Sequence, residues 1–167
     1  MSRKAEIPLT VDLGRYLGVG AIHGRVTRDR YKDLILRIQK KLAPWKAKQL
    51  SMAARITVVK SVSSSIPIYP MHIELVPVNV CRSLDKINRD FIWGESDEKK
   101  RMHLVAWPKL TQPRLSGGLG IRPARPVNLS MLAKGGWRII NDRDSLWCQV
   151  MRDKYDKNKE HLEILQR

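Results

Sequence analysis

The chain has 167 residues, 43% of them hydrophobic, which suits one domain or two small ones with a real core. Its 32 Lys and Arg against 16 Asp and Glu give a formal charge of +16, which favours a polyanionic partner: nucleic acid first, an anionic membrane surface second. No apolar run approaches the roughly 18 residues of a membrane span, and the N-terminus lacks the apolar region of a secretory signal. With two isolated cysteines, Cys81 and Cys148, we expect an intracellular protein that is not secreted.

The first element in chain order is short and apolar. Residues 16–22 alternate apolar side chains with glycine, which predicts a strand that ends in a turn at His23 and Gly24. We see few other strands to pair with it, which suggests that the chain begins in the middle of a larger domain.

A basic helical pair follows and organises the chain. The first helix is predicted to end at Pro44, and the second to start with Ser51 as its cap and to end at Pro67. The apolar stripe of the first helix is Tyr31, Leu34, Ile35, Ile38 and Leu42, and that of the second is Leu50, Ala53, Ala54, Thr57, Val58 and Ser61.

The remaining sides of this pair carry mostly one sign of charge. Its cations are Arg37, Lys40, Lys41, Lys46, Lys48, Arg55 and Lys60. Ordinary solvated helix faces mix both signs, so this pattern favours contact with a polyanion over a merely solubilising face. Trp45, at the break between the helices, could stack on a base or pack in the core, whereas Trp93, Trp107, Trp137 and Trp147 adjoin apolar runs and are expected in the core.

The second half reads as three more helices and a hairpin. Residues 68–76 contain Pro70 and are predicted to be irregular or an edge segment. Pro77 opens a third helix that Gly94 caps, with Val80, Leu84, Ile87 and Phe91 on its apolar side. Residues 103–107 are a strand candidate that could pair with Ile92 and Trp93, across a charged turn that contains Glu95, Asp97 and Glu98.

Residues 108–126 are rich in Pro and Gly and are predicted to be a loop with one short extended piece. A fourth helix is expected from about Asn128, and close packing would explain its glycines, Gly135 and Gly136. Its apolar stripe is Leu129, Leu132, Ala133, Gly136, Trp137 and Ile140. A fifth helix, capped by Ser145, would bury Leu146, Trp147, Val150, Met151 and Tyr155.

The residues of catalytic or metal chemistry are not arranged for it in the sequence. His23, His72, His103 and His161 lack metal-ligand spacing, and no Asp-Asp pair could build a two-metal polymerase centre. The glycines at 117–120 lack the context of a phosphate loop. We therefore predict no catalytic residues, no metal site and no cofactor.

Seven phrases, in order, resemble the stretch that follows the catalytic palm in reverse transcriptases of plant non-LTR (LINE-type) retroelements. They are Tyr16-Leu17-Gly18-Val19; Lys41-Leu42 with Trp45-Lys46; Leu50-Ser51 with Arg55, Lys60-Ser61-Val62 and Ser65-Ile66-Pro67; Phe91-Ile92-Trp93-Gly94; His103-Leu104-Val105-Ala106-Trp107; Gly117-Gly118-Leu119-Gly120-Ile121-Arg122; and Leu132-Ala133-Lys134 with Gly136-Trp137-Arg138. Three positions depart from the family: Gly20 stands for its usual Pro, Ala54 for its usual Gly and Gly135 for its frequent Trp.

The resemblance implies a mainly α fold with three regions. Residues 1–28 would be the residual end of the palm, 29–76 a basic helical thumb-like region, and 77–167 a helical connection region that includes the loop 108–126. In the family the catalytic aspartates lie upstream in the palm, and a Cys/His-rich segment or a ribonuclease H domain lies downstream. The chain would then be a fragment of an RNA-directed DNA polymerase without its catalytic centre.

The resemblance and the charge together predict a sequence-independent module for nucleic acid, either an RNA–DNA hybrid or a duplex backbone. The predicted contacts are Arg37, Lys40, Lys41, Trp45, Lys46, Lys48, Ser51, Arg55 and Lys60. Four alternatives stay open: an active polymerase or nuclease, a basic helical domain for a membrane surface or a protein partner, a non-functional pseudogene fragment, and a chain that does not fold alone.

Overall fold

The computed structural model describes residues 15–16, 19–20, 28–46, 49–95, 101–142 and 144–155. Within these ranges the chain is mainly helical, which confirms the predicted fold class. No helix in this described part of the chain is long and apolar enough to cross a bilayer.

The prediction of one N-terminal strand is wrong, because the described residues of this run form two short strands. Two strands of two residues each, β1 (Arg15–Tyr16) and β2 (Val19–Gly20), pair antiparallel with Tyr16 opposite Val19. Antiparallel pairing of β1 with β2 is incompatible with one continuous strand over this run. The predicted turn at His23 and Gly24 lies outside the described residues.

The first basic helix forms, and it is longer than predicted. A 3₁₀ turn (Arg28–Tyr31) leads into α1 (Lys32–Lys46), and the predicted apolar stripe packs in or against the core. The prediction that Pro44 ends the helix is wrong, because α1 continues two residues beyond it. Pro44 has no N–H to donate to the carbonyl of Lys40, a loss that is tolerable close to the end of a helix.

The second basic helix is α2 (Met52–Val58), continued by a π-helical turn (Val59–Ser63). Ser51 is its cap, as predicted, because its Oγ accepts the Ala54 N–H at 3.3 Å. The π-turn inserts an extra residue, so Ser63 is buried where helical spacing predicts Ser61. Ala53 and Thr57 precede the π-turn and are exposed, so the predicted stripe is also partly wrong within α2 itself.

Residues 68–76 are not the predicted irregular segment, since they contain α3 (Ile68–Ile73). Pro67 is its N-cap and Pro70 lies in its first turn, where a helix leaves backbone N–H groups without intrahelical partners. Pro70, which led to the prediction of an irregular segment, thus occupies a helix position at which proline is tolerated.

The third predicted helix is confirmed as α4 (Val78–Trp93). Pro77 is its N-cap, and Gly94 ends it with a left-handed φ of 69° that favours glycine. Phe91 is fully buried at the centre of the core. The predicted hairpin is wrong, because Trp93 remains in α4 while Ala106 caps the short helix α5 (Trp107–Leu110), with Pro108 near its start.

The last two helices, α6 (Ala124–Asn141) and α7 (Leu146–Tyr155), exist, but their predicted apolar stripes are wrong. The buried side of α6 runs through Ala124, Val127 and Asn128, about one position off the predicted stripe. Exposed instead are Leu129 (48%), Trp137 (68%), Leu146 (74%), Trp147 (47%) and Val150 (54%). Predicted close packing at Gly135 and Gly136 is also wrong, because a Cβ at either position would meet open space.

One core joins α1, α2, the π-turn, α3, α4 and α6. It includes Ile38 and Leu42 of α1, Val59 of the π-turn, Met71 of α3 and Phe91 of α4. Side chains from both predicted regions, 29–76 and 77–167, therefore share this core. The division of the chain near residue 76 stays a prediction.

A buried amide of α6 binds the backbone between α3 and α4. Asn128 is fully buried: its Oδ1 accepts the Val76 N–H at 2.9 Å, and its Nδ2 donates to the carbonyls of Met71 and Glu74, each at 2.9 Å. Arg125, one turn earlier, donates to the Val76 carbonyl at 3.1 Å. The backbone between α3 and α4 thus receives its hydrogen bonds from α6.

We expect Asn128→Ala to lower the free energy of unfolding by about 3 kcal/mol, because three buried backbone groups lose their partner. Urea denaturation followed by circular dichroism measures this loss. The matched control is Asn141→Ala on the same helix, where an exposed amide bonds to the Trp137 carbonyl, and a change within about 0.5 kcal/mol is expected. Equal effects of the two substitutions would contradict the role given to Asn128.

The N-terminus of α6 is held by a carboxylate of α4. Asp85 Oδ1 accepts the Ala124 N–H at 2.9 Å, a position in which a negative charge also meets the positive end of the helix dipole. Burial raises the pKa of Asp85, although the Ala124 N–H, the Trp107 side chain and Arg89 act in the opposite direction. Burial is the largest of these effects.

A raised pKa makes the folded state hold the Asp85 proton at pH values where the unfolded chain has lost it. This contribution to stability is full below the unfolded pKa of about 3.9 and disappears as pH rises through the folded pKa. We therefore expect the unfolding free energy of the native chain to fall, relative to that of Asp85→Asn, as pH rises from about 4. Urea denaturation of both chains across this range measures the difference, and a difference independent of pH would contradict the assignment.

Candidate nucleic-acid interface

The exposed side of α1 forms a basic strip opposite the core. Its members recur at helical spacing along one side: Asp33, Leu36, Arg37, Lys40, Lys41, Pro44 and Trp45. We call these seven residues the α1 strip. All are exposed and together they line one shallow, open depression. The same helix buries Ile38 and Leu42 on its other side, so core packing fixes which residues face outward.

The α1 strip combines cations with accessible apolar surface. Arg37, Lys40 and Lys41 stand against one acid, Asp33, at the N-terminal end. Leu36 is 50% exposed and Trp45 is 36% exposed. Of the two open interpretations of Trp45, its exposure favours a surface contact over the core. An indole beside ammonium groups can stack on a base while the cations meet phosphates.

The predicted contacts at the end of α1 are only partly described. Lys46 is the last residue of α1, and nothing is described of its side chain, while Lys48 lies outside the described residues. Ser51 is exposed, and its hydroxyl oxygen already accepts a bond as the cap of α2. Its contact with nucleic acid stays a prediction.

Arg55 makes internal contacts that sequence reasoning did not anticipate. Its Nη1 donates to the Phe91 carbonyl at 3.1 Å and its Nε to the Leu50 carbonyl at 3.2 Å. The guanidinium also lies 5.9 Å from the centre of the Phe91 ring. A Cβ on Gly94 would come within 2.5 Å of Nη1, so glycine there admits both the left-handed turn and the guanidinium. Arg55 thus satisfies an end carbonyl of α4 with a cation.

Lys60 also points into the fold. Its ammonium donates to the carbonyl of Leu119, in the loop before α6. Burial, and then the neighbouring charge of Arg114, lower the pKa of Lys60. Lys60, Arg122 and three successive serines line a cavity that is separate from the α1 strip. Arg122 is far from Lys60 and the serines in the sequence, so spacing alone could not join it to them.

A group of metal-ligating residue types forms where none was predicted. Donor atoms of Asp90, Glu95 and His103 lie within 4.8 Å of one another. His103 Nε2 is 3.0 Å from a Glu95 carboxylate oxygen, and the His103 ring stacks on that of Trp93. Arg89 Nε lies 3.7 Å from Asp90 Oδ1. These contacts account for the group without an ion. The ring of His103 stacks on Trp93 where the sequence had wrongly predicted a pair of strands.

Two proteins of Arabidopsis thaliana are similar to this chain. One is named "Putative ribonuclease H protein" and is 38% identical over 131 residues, which are 78% of this chain and 21% of that protein. The other, named "Uncharacterized mitochondrial protein", is 29% identical over 100 residues, 59% of this chain and 65% of that protein. The chain thus spans about a fifth of the first relative and about two thirds of the second.

No protein-family model matches the chain. No solved structure matches it either.

Substitution of Arg55 distinguishes a role in stabilising the fold from a role in binding nucleic acid. Arg55→Ala should lower the unfolding free energy by about 1–2 kcal/mol, because the Phe91 carbonyl loses a charge-assisted bond. The same substitution should leave the salt dependence of nucleic-acid binding unchanged. Urea denaturation and a binding titration across a salt series measure the two quantities.

The opposite pair of results would make Arg55 an interface residue. A salt slope flattened by about one unit, with no change in stability, would mean that its guanidinium meets a phosphate.

Proposed function

We propose that this chain is a fragment of a retrotransposon RNA-directed DNA polymerase that binds nucleic acid without sequence preference. The seven ordered phrases support the retroelement origin. The similarity to a plant protein named for ribonuclease H is compatible with this origin, because in the reverse transcriptase family that the phrases resemble a ribonuclease H domain often lies downstream. In this proposal residues 29–76 correspond to the thumb, residues 77–167 to the connection, and the chain acts inside the cell.

The α1 strip carries the proposal. Three exposed cations, Arg37, Lys40 and Lys41, follow one another at helical spacing and lie beside the exposed ring of Trp45. Such a strip matches the repeated negative charges of a nucleic-acid backbone. Contacts with phosphates carry no sequence information, so binding is expected to depend on salt and little on sequence.

The other predicted contacts have different roles in this proposal. Lys46 and Lys48 remain proposed contacts with nucleic acid, and Ser51 adds a hydroxyl at the start of α2. Arg55 supports the interface by holding α2 against α4, since its Nε and Nη1 donors already meet carbonyls. Lys60 belongs to a second place on the molecule, the cavity beside Leu119.

The proposed fragment has no polymerase centre of its own. The parent enzyme's catalytic aspartates would be supplied by the upstream palm, and downstream regions would supply Cys/His-rich or ribonuclease H functions. The test is an assay for polymerase and nuclease activity with Mg²⁺ and with Mn²⁺. Activity that disappears with Asp85→Asn or Asp90→Asn would replace this proposal with an active enzyme.

A second candidate is binding to an anionic membrane surface or a protein partner. Exposed apolar side chains on α6 and α7 favour it, among them Trp137, Leu146 and Trp147. Lys134 and Arg138 add cations to α6 nearby in sequence. Stronger binding to vesicles of anionic lipid than to an RNA–DNA hybrid would favour this candidate over the first.

The α1 strip yields a direct prediction. The triple substitution Arg37→Gln, Lys40→Gln and Lys41→Gln should flatten the slope of log affinity against log salt by about 0.9 for each phosphate that these side chains no longer neutralise. It should also weaken binding to an RNA–DNA hybrid at low salt. Fluorescence anisotropy with a labelled hybrid, repeated across a salt series, measures both effects.

The chain offers a charge-matched control for this experiment. Arg82→Gln, Lys86→Gln and Lys109→Gln remove the same residue types from exposed positions on α4 and α5. The slope should stay close to that of the native chain. Equal flattening by both triple variants would mean that overall charge, rather than the α1 strip, governs binding.

A further inference from the structure

A cavity of about 190 Å³ opens among α1, the π-turn, α3, α4 and α6. One wall is apolar and includes Ile38, Met71, Leu84 and Val127. The other wall is polar and includes Asn88 and three successive serines from the π-turn onward. A concave, mostly apolar site with a few convergent polar groups is the usual form of a small-molecule pocket.

Cations gather at the rim without acids to balance them. Lys60 and Arg122 line the cavity, and Arg114 lies beside the same glycine, Gly120, as the Lys60 ammonium. In the described ranges no carboxylate lies within ion-pair distance of Lys60, Arg114 or Arg122. Lys60 gives one N–H to the Leu119 carbonyl, which leaves two of its three donors available. The rim therefore suits an anion.

A buried amide adds an unused donor inside the cavity. Asn88 is only 7% exposed, and its Oδ1 accepts the hydroxyl of Ser63. Its Nδ2 has no acceptor among the described residues, while its side chain lines the cavity. Because the Asn88 side chain lines the cavity, its N–H can donate to a ligand that brings an acceptor.

We propose that this cavity binds one unpaired nucleotide. The phosphate meets Lys60 and Arg122 at the rim, the base lies against Ile38 and Met71, and an acceptor on the base takes the Asn88 N–H. A fatty carboxylate would satisfy the rim and leave the Asn88 donor unpaired, so the base fits better. The choice of a nucleotide rests on the proposed nucleic-acid function.

Calorimetric titration of the full chain with uridine 5′-monophosphate tests this site. We expect measurable binding that Arg122→Gln weakens by at least about tenfold, because a charge-assisted bond to the phosphate is removed. Uridine and hexanoate should each bind much more weakly than the nucleotide. Arg122 is exposed, so its substitution leaves the core intact. Lys60→Met keeps an apolar stem at the rim and should act in the same direction.

Three results would overturn the proposal: no binding of the nucleotide, equal binding by the native chain and Arg122→Gln, or hexanoate binding as tightly as the nucleotide. The triple variant at Arg37, Lys40 and Lys41 separates this site from the α1 strip. It should retain nucleotide binding while its binding to the RNA–DNA hybrid weakens. Failure of the cavity and failure of the strip are thus visible in different measurements.

Discussion

The hydrogen bonds of Asn128 are the constraint on which the arrangement of the helices depends. A backbone corner between α3 and α4 must be buried, and its N–H and C=O groups need partners there. One side chain of α6 supplies three of them, at Met71, Glu74 and Val76. Asp85 of α4 in turn accepts the N–H of the first residue of α6. These reciprocal polar contacts give the helices one arrangement where apolar packing alone would permit several.

The interface follows from that arrangement. Because α4 and the π-turn cover one side of α1, the opposite side of α1 is exposed. Arg37, Lys40 and Lys41 lie along that exposed side. Arg55 shows the contrast, since a cation of the same sequence segment turns inward to an end carbonyl of α4. The charge of a segment therefore does not define an interface by itself, and the fold selects which cations can meet a partner.

Periodicity predicted the elements whose buried side is apolar. The stripe of α1 and that of α4 were found because Ile38, Leu42, Phe91 and their neighbours repeat at helical spacing. The prediction failed where another effect decided the outcome. The π-turn after α2 buries Ser63 where regular helical spacing predicts Ser61. On the packed side of α6 the buried residue Asn128 is polar, so hydrophobicity gives no signal there. The predictions for the segments around Pro70 and Pro108 were wrong because a proline that interrupts a helix and a proline in the first turn of a helix cannot be told apart by sequence alone. The cavity at Lys60 depends on contacts between residues far apart in the chain, such as Lys60 and Leu119, which spacing cannot show.

Lysine footprinting tests the central claim, that the α1 strip is the surface that meets nucleic acid, most directly. The chain would be acetylated briefly with and without a saturating RNA–DNA hybrid, and each lysine's modification read by mass spectrometry. The account predicts strong protection of Lys40 and Lys41, with Lys86 and Lys109 modified equally in both samples. Protection confined to Lys86, Lys109 or Lys134, or uniform protection of all lysines, would contradict it.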